Sequence, residues 1–258
     1  MRCATMAEPQ PDRINSILPL AVERLSYRIG TLEVLRDISL VVAPASRTIV
    51  LGPNGAGKSV LMRMLHGLIV PSGGVIAWRS GDPGRVRRAQ AMVFQRPVML
   101  RRSALANVEF ALRIAGAGAG RGAPDATLVA AAALAALERV GLASLASRSA
   151  RLCSIGEQQR IALARAWALR PEVLFLDEPT ASLDPAATRA VEEVIAAIHA
   201  AGTAIVMSTH DLGQARRLAE RILFLHRGRL VEDAPAADFF LQPRSPEAAA
   251  FIAGELVW

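Results

Sequence analysis

The sequence predicts an α/β fold in three parts: a core of strands and helices, an antiparallel β subdomain, and an inserted α-helical subdomain. Apolar runs at 48–51 and 173–176 suit buried parallel strands, and stretches with helical spacing follow both. Residues 20–42 contain two alternating runs, as an antiparallel hairpin does. Residues 96–165 are alanine-rich with helical character, which indicates an insert in the core.

The composition limits the classes of partner. A chain of 258 residues with 52% hydrophobic content can bury the core of one large domain with a smaller insert. The net charge is +7, but the arginines are scattered and no nucleic-acid motif accompanies them, so we expect no nucleic-acid partner. Cys3 and Cys153 are far apart in unlike contexts, which favours reduced thiols. No apolar stretch reaches the about 20 residues of a membrane span, so we expect any membrane role to need a partner.

The N-terminal part reads as a tail followed by the hairpin. Residues 1–18 are polar and contain prolines, which predicts a loose tail. The strands are predicted at 20–26 and 32–42, with a turn at 27–31 between them. Tyr27 is the only tyrosine. It is either an ordinary half-buried strand residue or a platform for a nucleotide base.

A glycine-spaced loop follows the strand at 48–51 and ends in Gly-Lys-Ser. Glycines let successive backbone N–H groups point at phosphate oxygens, and a helix N-terminus favours negative charge. Lys58, the only lysine of the chain, would reach the outer phosphates, and the Ser59 hydroxyl would bind Mg²⁺. These features predict a P-loop nucleotide-binding core. Its predicted phosphate contacts are Gly52, Pro53, Asn54, Gly55, Ala56, Gly57, Lys58, Ser59 and Val60.

The next segments lead into the helical insert. A helix is predicted at 60–68 and short strands at 75–78 and 91–94. Gln95 follows the second strand, where a glutamine is usually only a polar strand end. Within the insert, helices are predicted at 103–114 and 124–140, joined by a glycine linker at 115–122. Three leucines of the second helix are predicted to face the core of the insert: Leu128, Leu134 and Leu137.

Two further segments carry candidate binding residues. Ser154 and Gly156 fall near the N-terminus of a helix at 161–169, which makes a second position for an anion. Asp177 and Glu178 end the apolar strand at 173–176, at the edge where active groups of open α/β sheets gather. Two adjacent acids there are costly without cations, so Mg²⁺ is the natural partner, and a solvated acidic loop is the alternative.

The C-terminal third repeats the pattern of strand and helix. Asp184 and Pro185 open a helix that Gly202 closes, so Asp184 has a structural explanation as an N-cap. A strand at 203–209 ends at His210, for which a structural role is the more common one. A strand pair follows at 221–225 and 229–232. Three aromatic side chains are predicted to pack a helical tail, residues 236–258, onto the body: Phe239, Phe240 and Phe251.

Together these motifs occur in the order and approximate spacing of an ATP-binding cassette ATPase, and residues 20–235 resemble that family. The joint occurrence makes the resemblance specific. The motifs that carry it are the loop Gly52–Ser59, Gln95, the run Ser-Ile-Gly-Glu-Gln-Gln-Arg at 154–160, Asp177-Glu178, Ser182-Leu183-Asp184 and His210. The resemblance extends the ATPase domain over residues 19–235.

The resemblance implies ATP and Mg²⁺ as cofactors and gives each motif a role. It implies that Tyr27 stacks on adenine, that Glu178 polarises the attacking water and that His210 contacts the γ-phosphate. Lys58 and Gln95 complete the implied catalytic set. Mg²⁺ is assigned to Ser59, Gln95 and Asp177. Further ATP contacts are assigned to Ser154, Gly156, Glu157 and Asp184.

Cassettes of this family act as head-to-tail pairs, so the resemblance implies a homodimer in which Ser154 and Gly156 of one copy complete the ATP site of the other. One residue departs from the family pattern. Ile155 stands where the signature Leu-Ser-Gly-Gly-Gln usually has its first glycine. A β-branched residue disfavours positive φ and adds bulk beside the phosphates, which predicts slower catalysis or a looser dimer.

A single cassette without membrane spans resembles the ATPase subunit of an importer, at the cytoplasmic face of the cell membrane. The implied partners are separate permease subunits, which residues 94–103 would meet, and indirectly an extracytoplasmic solute-binding protein. Residues 94–103 and the ending 254–258 resemble tungstate-type oxyanion importers. Phosphate and polar amino-acid importers have a close pattern. A soluble assembly ATPase is the alternative from another class.

Overall fold

The computed structural model describes residues 16–117 and 125–255, and within them it forms two sheets and a set of helices. The strands are β1 (Leu20–Ile29), β2 (Leu32–Val42), β3 (Arg47–Leu51), β4 (Gly73–Trp78), β5 (Gln90–Val93), β6 (Val173–Asp177), β7 (Ala204–Thr209), β8 (Arg221–His226) and β9 (Arg229–Pro235). The α-helices are α1 (Lys58–Leu65), α2 (Pro83–Arg88), α3 (Ala104–Ala117), α4 (Ala126–Arg139), α5 (Ile155–Ala168), α6 (Pro185–Ala200), α7 (Leu212–Leu218), α8 (Ala236–Leu241) and α9 (Pro246–Ile252). The predicted α/β class, with an antiparallel subdomain and a helical insert, is confirmed.

The β subdomain is a three-stranded antiparallel sheet in the order β2-β1-β4. Its hairpin turn is narrower than predicted, because β1 continues to Ile29 and Tyr27 is a half-buried strand residue. The predicted end of the loose tail at residue 18 is wrong: Ile17 and Leu18 are buried in the core. The backbone N–H of Ile17 donates to Glu172 at 2.8 Å, which holds this segment against the body. Residues 1–15 lie outside the described residues.

The six-stranded sheet has the order β5-β6-β7-β3-β8-β9, and every pair except β8 with β9 is parallel. The register pairs Leu51 of β3 with Thr209 of β7, and Asp177 of β6 with Ser208 of β7. The carboxyl ends of these neighbouring strands therefore lie side by side. Alternate residues of β3 face two different apolar clusters, one on each face of the sheet.

The helical insert consists of α3, α4 and the first part of α5, which contact one another. Leu137 is buried as predicted, but Leu128 is 69% exposed and Leu134 is 39% exposed, so both were wrongly assigned to the core. The buried stripe of α4 consists instead of Val129, Ala133, Ala136 and Leu137. Their spacing of four, three and one follows one face of a helix, and small alanines let the neighbouring helices approach.

Several element boundaries differ from the prediction. The helix α3 runs to residue 117, so residues 115–117 of the glycine linker predicted at 115–122 are helical instead, and residues 118–124 lie outside the described residues. The helix α5 begins six residues before the predicted start at 161. It also extends beyond residue 165, where the helical insert was predicted to end. The short helices α2 and α7 were not predicted; an aspartate caps the N-terminus of each, and that is the signal that was missed.

The two C-terminal helices pack onto the six-stranded sheet through aromatic rings, as predicted. The ring centroid of Phe224 in β8 lies 5.7 Å from that of Phe239 and 5.3 Å from that of Phe251. Phe240 stacks edge-on against Phe239 at 5.3 Å. None of the helices within residues 16–117 and 125–255 is long and apolar enough to cross a membrane.

Candidate functional site

The glycine loop connects β3 to α1 and is wedged between β2 and β8. Gly57 has φ +101°, in the region that side chains rarely adopt, and a Cβ there would lie 2.6 Å from Cδ2 of Leu35. A Cβ on Gly52 would lie 2.1 Å from the carbonyl oxygen of Leu225. Both positions therefore require glycine, because no other residue lets the backbone turn this close to its neighbours.

Lys58 is the first residue of α1, and its ammonium group points back into the loop. Its Nζ donates to the carbonyl oxygens of Gly52 at 2.8 Å and Pro53 at 3.0 Å, and it lies 3.3 Å from Oε1 of Glu178. The side chain is 4% exposed. Burial lowers the pKa of Lys58, while the charges of Glu178 and Asp177 act in the opposite direction. The buried cation is thus stabilised by acceptors that an anionic ligand can replace.

Asp177 ends β6 and is 2% exposed. Its Oδ1 accepts hydrogen bonds from Ser59 and from Ser208, both at 2.8 Å, and Arg63 lies 3.8 Å from Oδ2. A hydroxyl and a carboxylate in contact are hard oxygen ligands of the kind that Mg²⁺ prefers. Over the described ranges no group of three or more His, Cys, Asp or Glu could hold a metal ion. The donor set therefore fits a cation that takes its other ligands from phosphate and water.

Glu178 follows Asp177 with φ +44°, a left-handed backbone conformation that is uncommon outside glycine. Its N–H donates to the carbonyl oxygen of Ser208 at 3.2 Å and to its hydroxyl at 3.0 Å. The carboxylate stands between two basic groups, Lys58 and His210, whose Nδ1 lies 3.2 Å from Oε2. Residues whose backbone lies in a sparsely populated region of φ and ψ often cluster at functional sites.

Lys58, Ser59, Glu178 and His210 line a cavity of about 720 Å³ at the carboxyl edge of the six-stranded sheet. Sequence reasoning predicted nine of its lining residues: Asn54, Gly55, Gly57, Lys58, Ser59, Val60, Gln95, Glu178 and His210. It missed six others: Val34, Thr180, Ala181, Ser182, Thr209 and Asp211. Five of these six lie within four residues of Glu178 or His210, so proximity to a predicted residue was the available signal. Val34 of β2 reaches the cavity only through tertiary packing.

Four predicted residues lie beside the cavity but are buried or half-buried and do not line it: Gly52, Pro53, Ala56 and Asp177. Five more lie outside it on other elements: Tyr27, Ser154, Gly156, Glu157 and Asp184. Tyr27 packs partly buried against the apolar cluster of the β subdomain. Within this single chain none of the five contributes to the lining.

The segment around Ser154 has its own local structure. Ser154 caps α5, and a capping box links it to Glu157: the Ser154 N–H donates to Oε2 at 2.7 Å, and the Glu157 N–H donates back to Oγ at 3.2 Å. Gly156 is buried against α6, where a Cβ would lie 2.8 Å from Cβ of Ala187. Asp184 caps α6 by accepting from the Ala187 N–H at 2.8 Å.

Ile155 begins α5 and does not have positive φ, so the expected backbone conflict at this position is wrong. A helical first turn suits an isoleucine backbone as well as that of a glycine. The side chain is 59% exposed and follows the exposed Ser154. Only its bulk distinguishes it from the usual glycine.

The comparison with known families matches the part of the chain that holds most of this site. Residues 35–181 match the family model described as ABC transporter. The chain belongs to the ABC transporter family. Its fold is the ABC ATPase fold, and its enzymatic class is that of the ABC ATPases, as the motifs predicted.

Relatives within this family differ in the solute that their names carry. The chain is 36% identical to the phosphate import ATP-binding protein PstB 2 of Natronomonas pharaonis, covering 93% of this chain and 88% of the relative. It is 35% identical to the tungstate uptake system ATP-binding protein TupC of Peptoclostridium acidaminophilum, covering 83% and 98%.

A solved structure of an ATP-binding cassette is similar to this chain. The chain resembles a dimeric post-hydrolysis state of an ATP-binding cassette bound to ADP and phosphate, with a TM-score of 0.72 and 26% sequence identity. The match covers 84% of this ABC cassette and 98% of the other chain.

Proposed function

We propose that this chain binds ATP with Mg²⁺ and hydrolyses it as the ATPase subunit of a membrane importer for an inorganic oxyanion. One observation carries the ATPase part. Lys58, Glu178 and His210 meet through contacts of 3.3 Å and 3.2 Å in a cavity at the carboxyl edge of the sheet. One bound nucleotide can therefore contact all three: Lys58 binds its phosphates, Glu178 activates the attacking water, and His210 contacts the terminal phosphate.

The roles of the side chains follow from their surroundings. Lys58 exchanges the loop carbonyls for the outer phosphates of ATP, which stabilises its buried charge. Glu178 accepts the proton of a water that attacks the γ-phosphate, and His210 donates to an oxygen of that phosphate. Ser59 and Asp177, with Gln95 at the same cavity, would hold Mg²⁺, which neutralises charge on the phosphates.

Residues 154–157, which correspond to the family signature and are called the signature segment below, act on another copy of the chain. Ser154 is exposed beside the N-terminus of α5, where backbone N–H groups favour an anion. It does not contribute to the cavity of its own chain. A head-to-tail homodimer therefore supplies Ser154 to the nucleotide of the partner, with the backbone of the following turn. The dimeric cassette that this chain resembles supports the proposal.

A second cavity, of about 530 Å³, supports docking of a separate membrane subunit. It lies between β5, the segment after Gln95, and helices α3 and α5. Phe94, Val98 and Ile114 line it and are 39%, 72% and 57% exposed. An apolar groove of this kind suits an apolar segment of a permease. In this arrangement the chain works at the cytoplasmic face of the membrane, and a solute-binding protein engages the permease from the other side.

The solute is proposed as an oxyanion because the two relatives described above are named for one, phosphate or tungstate. Another relative, the arginine transport ATP-binding protein ArtM of Bacillus subtilis, is 33% identical, so a polar amino acid is the competing class. Other chains of the transporter would recognise it. The test is ATPase activity of the complex reconstituted in vesicles with its binding protein, comparing tungstate, molybdate, phosphate and polar amino acids. Stimulation by one oxyanion alone supports the proposal, and stimulation only by an amino acid contradicts it.

Co-purification separates an importer from a soluble assembly ATPase. An affinity-tagged chain extracted in detergent is expected to retain integral membrane subunits. The variant Val98→Glu, which puts a charge into the apolar groove, is expected to lose them while it keeps ATP binding. Extracts that contain only water-soluble partners would contradict the importer.

A further inference from the structure

A chain of hydrogen bonds runs from the cavity into the helices behind it, through residues that the proposed mechanism does not use. Thr180 lines the cavity two residues after Glu178, and its Oγ1 accepts a 2.7 Å hydrogen bond from Nε2 of Gln214. The same nitrogen donates to Oε1 of Glu192 at 3.1 Å. Glu192 in turn accepts from Arg217 at 2.7 Å and 2.9 Å, through both carboxylate oxygens.

The amide nitrogen of Gln214 is fully used in this network, whereas its Oε1 is buried without a hydrogen-bond partner among the described residues. The amide of Gln214 has two N–H groups, and Thr180 and Glu192 take one each. Gln214 is 1% exposed and Glu192 is 7% exposed, so water competes little for these bonds. The charge of Glu192 is balanced by the two-point contact with Arg217, which is the strong geometry for this pair.

The network contacts the loop that follows Glu178, which contains two residues with a left-handed backbone. Glu178 and Ser182 have φ +44° and +66°, and residues in this region persist only where their surroundings hold them. The Glu178 N–H is bound to Ser208 of β7, and the backbone hydrogen bonds that follow are internal to the loop: the Ala181 N–H donates to the Glu178 carbonyl oxygen at 3.1 Å, and the Leu183 N–H donates to the Thr180 carbonyl oxygen at 3.2 Å. The bond from Gln214 to Thr180 ties it to α7.

Gln214 also connects to the other side of the cavity. Its backbone N–H donates to Oδ1 of Asp211 at 2.9 Å, which caps the N-terminus of α7 directly after His210. One residue is therefore bonded to the loop that carries Glu178 and to the turn that carries His210.

We propose that Gln214, held in place by Glu192 and Arg217, is a positioning residue that sets Glu178 relative to His210. The inference rests on the proposed ATPase mechanism, in which these two groups act on one phosphate. A displacement of about 1 Å at a reacting group can cost about 100-fold in rate, so the network affects kcat more than ATP binding.

Two substitutions of Gln214 test the proposal. Gln214→Met keeps the length of the side chain and removes both donors. Gln214→Glu keeps the shape but faces the Glu192 carboxylate with a second one and cannot donate to Thr180. We expect each to lower kcat about tenfold and to change KM for ATP by less than about twofold. Gln242→Glu, the same change at an exposed position after α8, is the control and should leave both constants unchanged.

A paired exchange separates positioning from general damage. In the double variant Glu192→Gln with Gln214→Glu, the amide at 192 donates to the carboxylate at 214, and the hydroxyl of Thr180 donates in place of accepting. The net charge equals that of the wild type, and Arg217 keeps an acceptor. We expect the exchange to recover at least half of the lost kcat, on a logarithmic scale. A folded Gln214→Met variant with unchanged kcat, or no recovery by the exchange, would overturn the proposal.

Hydrogen exchange of the nucleotide-free chain gives a readout without catalysis. The peptide that covers residues 178–184 should exchange faster in Gln214→Met than in the wild type, while a peptide from α5 should not change. An unchanged rate of hydrogen exchange in residues 178–184 would contradict the positioning role of Gln214. A wild-type chain without ATP turnover in the reconstituted complex would instead contradict the proposed function, so the two failures are distinguishable.

Discussion

At the scale of single residues, the site is defined by charges that partly satisfy one another before any ligand is bound. Lys58 contacts the Glu178 carboxylate and two loop carbonyls, and burial lowers its pKa. Incoming phosphates supply more negative charge than these partners do, so ATP binding relieves the cost of the buried ammonium. This relief is a physical reason for a compact ammonium group at position 58.

Ile155→Gly tests whether bulk in the signature segment limits turnover. The backbone of Ile155 is helical and its side chain is 59% exposed, so the change removes bulk without releasing a strained backbone. We expect kcat of the reconstituted complex at or above the wild-type value. Leu241→Gly, at a position that is 80% exposed in α8, is the control. A large loss of kcat in Ile155→Gly alone would show that the side chain assists the reaction.

Glu220 gives a prediction for pH. Its pKa is below the usual 4.5: burial would raise it, but the hydrogen bond from the Arg47 N–H and the charges of Arg47 and His199 outweigh this. A carboxyl whose folded pKa is the lower one stabilises the fold above pH 4.5, and this contribution is lost as pH falls through the folded pKa. Glu220→Gln should therefore lower Tm more at pH 7 than at pH 3. Thermal melts of both proteins at the two pH values check this.

At the scale of elements, four neighbouring strands build the site, because each delivers one motif to the same edge. The strands β5, β6, β7 and β3 are adjacent and parallel, and Gln95, Glu178, His210 and the loop follow them in that order. Parallel strands end at one edge, so residues far apart in sequence converge there.

The contact between α5 and α6 predicts the role of Gly156. A Cβ at this position would lie 2.8 Å from Cβ of Ala187, so Gly156→Ala should destabilise the fold by about 1–3 kcal/mol. Ala187→Gly removes the opposing atom. If the clash is the cause, the double variant is less destabilised than the sum of the two single variants. Urea unfolding of the four proteins measures this, and simple additivity would contradict the explanation.

At the scale of the whole molecule, the site of one chain lacks the signature residues that the family resemblance assigns to it. In the proposed mechanism, Glu178→Gln removes the acceptor for the water proton while it leaves the other contacts of ATP, so we expect hydrolysis to stop and an ATP-bound dimer to accumulate. Size-exclusion chromatography with ATP and Mg²⁺ should show a dimer for Glu178→Gln. Glu193→Gln, the same change at a side chain that is 70% exposed, should elute as the wild type does. A monomeric Glu178→Gln variant would count against the composite site.

Much of the fold could be predicted because its signals are local. The apolar runs of β3 and β6, the cap Asp184 and the glycine loop each depend on a few consecutive residues. The prediction was wrong where neighbours decide burial: Leu128 and Leu134 are exposed, because the adjacent Val129 and Ala133 lie on the contact face of α4 instead. The helices α2 and α7 were missed since six or seven residues give little periodic signal.

By itself, the sequence determined the kind of chemistry: a phosphate loop with one lysine, acids after a buried strand, and a histidine after another. These are properties of residue types and short spacing, which fix backbone conformation and charge locally. Only the tertiary structure decided which groups meet. Strand order brings Glu178 to Lys58 and His210, close packing makes Gly156 obligatory beside Ala187, and a hydrogen bond across 34 residues joins Thr180 to Gln214. Such contacts depend on how elements pack, and no local pattern encodes them.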